Sequence, residues 1–302
     1  MPGQRPGRVR RRILWAVDLG GHPVIDGHCH LLPPELREPS SAAWKDRWFA
    51  DCHAGVAPRF ASGQDVLTAL DSVGLERAVV FGWPFADPGL LREGNDYVAS
   101  EVGGSGGRLV GFATVNPAKL GALQELRRCE GMGLKGLGEL NCDAQGFGLA
   151  WEGGLRATLH SCQEVGWPVL LHASEPVGHT YAGKGTATPG RLWKLLQPML
   201  ADAPDLRLSL AHLGGGLPLY SNMPEVARIC RSIWFDTAAV PYLYDTGVLP
   251  GLVSLLGSDR LCFGSDFPLL APGRYSAHLA AMSEAEVGKW LHQGTEAWLG
   301  ER

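Results

Sequence analysis

The sequence lacks the patterns that mark several common classes of protein. Its seven cysteines are odd in number and include no Cys-x-x-Cys pair, which favours reduced thiols over a disulfide framework. Beyond the N-terminus neither sign of charge forms a long block, and the formal net charge is −4, so a surface that follows a phosphate backbone is not expected. No apolar run approaches the length of a membrane span. These absences predict a cytoplasmic protein without nucleic-acid or membrane partners.

The first twenty residues form a segment of their own. Five arginines lie within the first twelve positions, and the apolar run ILWAV after them is cut short by Asp18 and lacks a cleavage-site pattern. We interpret residues 1–20 as a basic N-terminal extension rather than a targeting signal. The rest of the chain, residues 21–302, has the length of a single large domain with one core.

Short apolar runs alternate with helix-like segments along this domain. The eight runs are 24–28, 78–82, 109–115, 133–139, 168–172, 206–212, 233–237 and 261–266. Segments with helical spacing follow at 65–73, 95–102, 119–129, 151–165, 189–200, 223–230, 247–256 and 283–299. This alternation predicts an α/β fold, a (β/α)8 TIM barrel. The alternative, an open doubly wound sheet, normally carries GxGxxG after an early strand, and VIDGHCHLLPP does not match that pattern.

Residues 31–63 form an unusually long connection after the first strand. Its aromatic side chains include Trp44, Trp48 and Phe49, and it also carries Arg59. Long connections in compact domains are often functional, so this insertion is a candidate cover over a pocket. The alternative is an arm that packs on the outside of the barrel.

Side chains that bind metals fall at the ends of the predicted strands. Because side chains alternate along a strand, His28 and His30 face one side and Cys29 faces the other. Four further candidates end strands four, five, six and eight, and they are Glu139, His172, His212 and Asp266. Strand ends meet at one rim of a parallel barrel. Burying these groups without a cation would cost several kcal/mol, so the sequence predicts a metal site.

The donor types favour zinc first, with manganese, iron or cobalt as alternatives, because the ligands are nitrogen and carboxylate oxygen without an obligatory thiolate. A catalytic zinc ion keeps one position open and lowers the pKa of its bound water to about 7. Asp266 is suited to accept the water proton and pass it to a leaving group. His212, if it is not a ligand, can polarise a substrate carbonyl or bind the oxyanion.

Five motifs extend this interpretation over nearly the whole chain from Val24 onward. They are IDGHCH, KGLGEL, LLHASEP, AHLGGG and FGSDFP, and in this order they resemble the amidohydrolase superfamily, specifically the "amidohydrolase 2" branch that includes aminocarboxymuconate semialdehyde decarboxylase. The resemblance implies a (β/α)8 barrel with metal at the C-terminal rim. It also implies metal ligands at His28, His30, His172 and Asp266, with His212 assisting the chemistry.

The number of ions depends on Glu139. In binuclear members of the superfamily a carboxylated lysine or a glutamate at the end of strand four bridges two ions. Glu139 lies near that place, whereas Lys135 lies four residues earlier and too deep in the barrel. Glu139 therefore either bridges two ions, with His172 and His212 on the second, or accepts a hydrogen bond that orients a ligand imidazole.

The substrate contacts are expected in the loop SEPVGHTYAGKG after strand five. Its candidates are Glu175, His179, Tyr181 and Lys184, among glycines that allow close approach of a ligand. Lys184 and Arg59 suit a substrate carboxylate, and His179 or Tyr181 can donate to a leaving group. Trp83 after strand two is a candidate pocket wall. The alternative for the loop is a segment packed only on itself.

Together these residues predict an enzyme that hydrolyses a small amide, lactone or ester with a metal-activated water. The alternative is non-oxidative decarboxylation of a small aromatic or unsaturated carboxylic acid, in which Asp266 and His212 manage a proton. A metal-binding protein without catalysis is a third class, and the complete ligand set disfavours it. The expected partner is a small molecule, and no sequence stripe identifies an interface for a homo-oligomer.

Overall fold

The computed structural model describes residues 24–55 and 58–301. The predicted N-terminal extension, residues 1–20, lies outside the described residues. The eight strands are β1 (Ile25–His30), β2 (Arg77–Phe81), β3 (Leu109–Gly111), β4 (Leu137–Leu140), β5 (Val169–Leu171), β6 (Leu208–Leu210), β7 (Trp234–Asp236) and β8 (Leu261–Cys262). Each of the eight predicted apolar runs contains or overlaps one of these strands.

The strands close into a barrel. Strands β1 to β3 pair in parallel, and β4 to β8 pair in parallel in chain order. Two isolated parallel bridges join these sheets: Ala113 pairs with Leu137, and Cys29 pairs with Phe267. The predicted (β/α)8 barrel is therefore confirmed.

Helices connect the strands, and the longer ones cover the barrel on the outside. They are α1 (Pro34–Arg37), α2 (Arg47–His53), α3 (Gly63–Val73), α4 (Pro88–Gly104), α5 (Ala122–Gly131), α6 (Cys142–Gln145), α7 (Gly153–Glu164), α8 (Pro189–Asp202), α9 (Pro224–Cys230), α10 (Val240–Leu243), α11 (Val248–Leu256), α12 (Ser276–Ala280), α13 (Glu284–Lys289) and α14 (Thr295–Leu299). Local sequence sets their starts: Ser62 and Asp65 form a capping box on α3, and Asp87 caps α4. None of the described helices is long and apolar enough to cross a membrane.

Many element ends differ from the predicted bounds, and two of these differences bear on the site and the C-terminal helix. The last predicted helix, 283–299, is divided into α13 and α14 by a π-helical stretch at Trp290–Gly294. Strand β8 ends at Cys262, whereas the predicted run reached residue 266. Asp266 has a φ of 68°, which is left-handed backbone and incompatible with a strand. It therefore lies in the loop beyond β8.

The apolar interior of the barrel supports the rim from below. The buried interior cluster includes Ile25, Val79, Phe81, Phe112 and Leu170. The ring of Phe81 lies edge-on to two rim imidazoles, with its centroid 5.0 Å from that of His28 and 4.8 Å from that of His30. Because Phe81 is fully buried, its ring gives both histidines an apolar contact on the side of the barrel interior.

The connection between β1 and α3 folds as a small aromatic unit. It contains α1, a 3-10 turn at Ala42–Lys45 and α2. Phe49 of α2 is fully buried, stacks on Phe60 at 5.9 Å and meets Trp83 edge-on at 5.4 Å. Asp46 caps α2 with one oxygen and accepts from the backbone N–H of Ala86 with the other. The insertion is thus fixed to the loop after β2, beside the rim.

Candidate metal centre

Three side chains at the rim converge on one point. The Nε2 atoms of His28 and His30 lie 3.2 Å apart, and Asp266 Oδ1 lies 3.6 Å from each. The centre of the circle through these three atoms is about 2.0 Å from each of them, which is the length of a zinc–nitrogen or zinc–oxygen bond. The donor set and its spacing therefore fit a single divalent ion.

A second group of three lies beside the first. Glu139 Oε1 is 2.9 Å from His172 Nδ1 and 3.6 Å from His212 Nε2. Glu139 Oε2 lies 3.8 Å from His30 Nε2, so this carboxylate stands between the two groups. All six predicted residues are brought together, but His172 groups with Glu139 and His212 rather than with the first three.

Burial and charge shape the protonation of the centre. Burial disfavours a charged imidazole, yet Asp236, Asp266 and Glu139 outweigh it and raise the pKa of His28 to about 9. Burial and the charge of His28 lower the pKa of His30 to about 4. Although burial acts against it, the neighbouring imidazoles hold the pKa of the Glu139 carboxyl well below its usual range. Without an ion, the positive charge opposite these carboxylates is carried by imidazoles; a divalent cation would supply it instead.

The outer nitrogens of the histidines are also held. His28 Nδ1 lies 2.7 Å from Asp236 Oδ2, and His212 Nδ1 lies 3.0 Å from the carbonyl oxygen of Ala238. Ser174 Oγ lies 3.2 Å from His172 Nε2. Sequence reasoning missed Asp236 and Ser174. Asp236 ends β7, so the rule that placed the metal-site candidates at strand ends identifies it too.

The chain turns sharply where the site residues leave the strands. His212 and Leu213 after β6, Ala239 after β7 and Asp266 after β8 have φ values between 53° and 68°. Left-handed backbone costs roughly 1 kcal/mol or more for each residue with a Cβ. Such conformations concentrate at functional sites, where the surrounding structure enforces them.

A comparison with models of protein families identifies the family of the chain. A family model described as amidohydrolase matches residues 25–300. The chain belongs to the amidohydrolase family. The resemblance drawn from the five motifs is thereby confirmed, and the protein is an enzyme of this family. No curated protein sequence matches the chain.

Solved structures share the fold of this amidohydrolase at low sequence identity. A 2,6-dihydroxybenzoate decarboxylase from Rhizobium has a TM-score of 0.70 and 17% identity, over 93% of this chain and 99% of its own. A 5-carboxyvanillate decarboxylase from Novosphingobium aromaticivorans with bound manganese has a TM-score of 0.74 and 17% identity, over 93% and 97%. A probable 2-pyrone-4,6-dicarboxylic acid hydrolase from Acinetobacter baumannii has a TM-score of 0.62 and 19% identity, over 92% and 99%.

The predicted substrate loop after β5 is held by contacts within itself and by Tyr244, which follows α10. Glu175 accepts from the hydroxyl of Tyr181 at 2.7 Å and from that of Tyr244 at 3.3 Å. Lys184 Nζ donates to the carbonyls of Val177 and His179 at 2.7 and 3.0 Å. Its ammonium thus stabilises the loop, and two of its three hydrogens are already used. The role of this loop in substrate binding stays a prediction.

The two remaining candidates lie on the insertion side of the rim. The ring of Trp83 is 5.7 Å from that of His30 and 5.2 Å from that of His53. Its indole N–H is buried and has no hydrogen-bond partner among the described residues. Arg59 is exposed and donates to the carbonyl of Leu269 at 3.1 Å, so it connects the insertion to the loop after β8. His53 is a site neighbour that sequence reasoning did not identify.

Proposed function

We propose that this amidohydrolase is a metal-dependent, non-oxidative decarboxylase of small aromatic carboxylic acids. The sequence favoured hydrolysis and kept decarboxylation as its alternative. Two of the three structural relatives described above are named as decarboxylases, of 2,6-dihydroxybenzoate and of 5-carboxyvanillate, which supports the alternative. The third is named as a probable hydrolase of 2-pyrone-4,6-dicarboxylic acid, so hydrolysis is the competing outcome to test.

The observation that carries this proposal is an aromatic wall beside His30, in which the half-buried rings of Trp83, His53 and Phe60 are backed by the fully buried Phe49. Phe49 and His53 stand 4.3 Å apart, and both contact Trp83 at 5.4 and 5.2 Å. Offset and edge-to-face arrangements at these distances are favourable for aromatic rings. A substrate with an aromatic ring finds a matching surface here, next to the nitrogen atoms that face the metal position.

We assign the metal to His28, His30 and Asp266, with His172 as the predicted fourth ligand. A bound divalent ion supplies positive charge that holds and polarises the substrate oxygens. Imidazole nitrogen and carboxylate oxygen are acceptable to both zinc and manganese. Manganese is present in the 5-carboxyvanillate decarboxylase structure, so we test manganese beside zinc, which the sequence favoured.

The side chains of this enzyme manage the proton. Asp266, ionised in the resting centre, first takes the proton of the substrate's phenolic hydroxyl and then delivers it to the ring carbon that bears the carboxylate. The electron pair of the carbon–carbon bond returns to the ring as carbon dioxide leaves, and water reprotonates the phenolate product. His212 donates from Nδ1 to the carbonyl of Ala238, which turns Nε2 toward the site. Its Nε2 is positioned to hold a substrate oxygen. The net change replaces the carboxylate by the proton from Asp266.

A substrate panel tests the reaction class directly. The purified enzyme, loaded with Mn²⁺ or Zn²⁺, is incubated with hydroxylated benzoic acids and, in parallel, with a 2-pyrone lactone, simple esters and amides. We expect carbon dioxide and the matching phenol from at least one benzoic acid, with no ring opening of the lactone. Hydrolysis of the lactone, ester or amide without carbon dioxide release would reject the proposal in favour of hydrolysis.

Removal of the metal should abolish turnover. Dialysis against a chelator is expected to remove activity, and addition of Mn²⁺ or Zn²⁺ is expected to restore it, because the substrate oxygens lose their binding charge without the ion. Elemental analysis of protein purified without chelator should give about one ion per chain. Two ions per chain would instead assign Glu139 to a bridge between them.

Trp83→Ala should weaken substrate binding more than it slows the reaction. Loss of the stacking surface is expected to raise KM about fivefold, since an aromatic contact contributes about 1 kcal/mol. The value of kcat should change less, because Trp83 does not transfer the proton. Trp83→Phe should keep KM near that of the wild type. Trp151→Ala, whose indole binds Asp202 away from the rim, is the matched control. An unchanged KM in Trp83→Ala would remove the aromatic wall from the substrate site.

A further inference from the structure

Asp236 connects the two halves of the site through one carboxylate. It lies at the end of β7 and is fully buried. Its Oδ2 is 2.7 Å from His28 Nδ1. Its Oδ1 accepts from the backbone N–H groups of His212 at 2.9 Å and Ala238 at 3.0 Å. Oδ2 therefore contacts the ring of His28, whereas Oδ1 contacts the backbone at His212 and Ala238.

When a metal ion takes one nitrogen of His28, the contact at Oδ2 determines which nitrogen keeps its proton. An ionised carboxylate only accepts hydrogen bonds, so His28 Nδ1 must donate. The other nitrogen, Nε2, is then the one that offers a lone pair toward His30 and Asp266. Carboxylate partners of ligand histidines fix the tautomer and the ring orientation in this way.

The contacts at Oδ1 hold the backbone around His212. The residue has a φ of 53°, and its amide donates to Asp236. The ring of His212 donates to the carbonyl of Ala238, whose own amide also donates to Asp236. Asp236 Oδ1 thus holds both the backbone amide of His212 and Ala238, the residue that accepts from the His212 ring.

We propose that Asp236 is a positioning residue that sets the tautomer of His28 and the orientation of His212 together. It is fully buried and belongs to neither group of candidate ligands. The inference rests on the proposed metal binding at His28, but it does not depend on the reaction class. Its test therefore measures metal affinity and uses no substrate.

Asp236→Asn gives the sharpest result because the amide has only one way to fit. The backbone N–H groups of His212 and Ala238 require an acceptor, so the amide oxygen must take the place of Oδ1. The NH2 group then faces His28 Nδ1, which has to accept, and the imidazole proton moves to Nε2. This proton occupies the position that faces the metal. We expect the affinity for Mn²⁺ and Zn²⁺ to fall about 10- to 100-fold.

Asp236→Ala separates this effect from a loss of structure. Alanine leaves room for water to accept from His28 Nδ1, so the tautomer that suits the metal is retained. We expect Asp236→Ala to bind metal more tightly than Asp236→Asn, although it loses more hydrogen bonds and more stability. A residue with only a structural role gives the opposite order. Thr237→Val, which removes the neighbouring buried hydrogen bonds to Gly264, should bind metal like the wild type.

Affinities are measured by titration with Mn²⁺ or Zn²⁺ and also from the rise of the unfolding midpoint with metal concentration, so a variant that folds only with metal still reports its affinity. Asp236→Asn within twofold of the wild type, or weaker binding by Asp236→Ala than by Asp236→Asn, would overturn the inference. A wild-type chain that binds neither ion would overturn the metal site itself, and decarboxylation failing with normal metal affinities would reject only the reaction class.

Discussion

Asp266→Asn is expected to lower kcat by about three orders of magnitude while the barrel stays folded. Asparagine is nearly the same size as aspartate, but its amide cannot ionise and cannot give a proton to the ring carbon. It also removes the negative charge that lies 3.6 Å from the Nε2 atoms of His28 and His30. The replacement of one carboxylate oxygen by an NH2 group therefore weakens both proton delivery and metal binding.

The backbone conformation of residue 266 is compatible with asparagine. Asp266 has a φ of 68°, and asparagine, like aspartate, accepts left-handed backbone more readily than most residues. The substitution should therefore leave the loop after β8 in place. The measurements are kcat from carbon dioxide release, metal content from elemental analysis and the midpoint of thermal unfolding.

Asp259→Asn is the matched control for this prediction. Asp259 lies just before β8, at the opposite end of the strand from Asp266, and half of its side chain is exposed. Residues at that end of a barrel strand contribute to stability rather than to catalysis. Its kcat should stay within twofold of the wild type. If Asp266→Asn keeps more than a tenth of the wild-type kcat, Asp266 is not the proton donor.

The barrel and most of the rim could be predicted because they follow from simple periodicities. Buried parallel strands are nearly continuous in hydrophobicity, and the polar residue that ends each run marks where the strand leaves the core. In a closed parallel barrel all those ends face the same rim. This reasoning brought His28, His212 and Asp266 together across more than two hundred residues of sequence.

The strand lengths could not be predicted in the same way. Hydrophobic runs continue past the ends of β6 and β8 at Leu210 and Cys262, and the backbone becomes left-handed at His212 and Asp266 beyond them. The cost of these conformations is met by contacts from distant residues, such as the carboxylate of Asp236. Local sequence contains no signal for such long-range compensation.

The contacts of the charged loop residues could not be predicted from the sequence either. Lys184 matches a substrate carboxylate by charge, but its ammonium lies on carbonyls of its own loop. Arg59 matches it as well, but it donates to the carbonyl of Leu269. Residue type alone cannot distinguish a side chain that binds a ligand from one that donates to backbone carbonyls, because both use the same donors.

His28→Ala should cause the second large loss. Alanine removes one corner of the triangle formed with His30 and Asp266, and we expect kcat/KM to fall by about three or more orders of magnitude because the metal is no longer held. It also leaves Asp236 Oδ2 without the imidazole that lies 2.7 Å away. A buried charge that loses its partner costs several kcal/mol, so the unfolding midpoint should fall as well.

His28→Asn separates the two consequences. The asparagine NH2 group lies close to the place of His28 Nδ1 and can still donate to Asp236, but no nitrogen remains at the place of Nε2. We therefore expect His28→Asn to lose metal and activity like His28→Ala while it keeps more of the wild-type stability. His160→Ala, which removes an imidazole bound to Asp202 away from the rim, should retain normal metal content and activity. Wild-type metal affinity in His28→Asn would show that His28 is a structural residue, and the ion would then have to lie in the group of Glu139, His172 and His212.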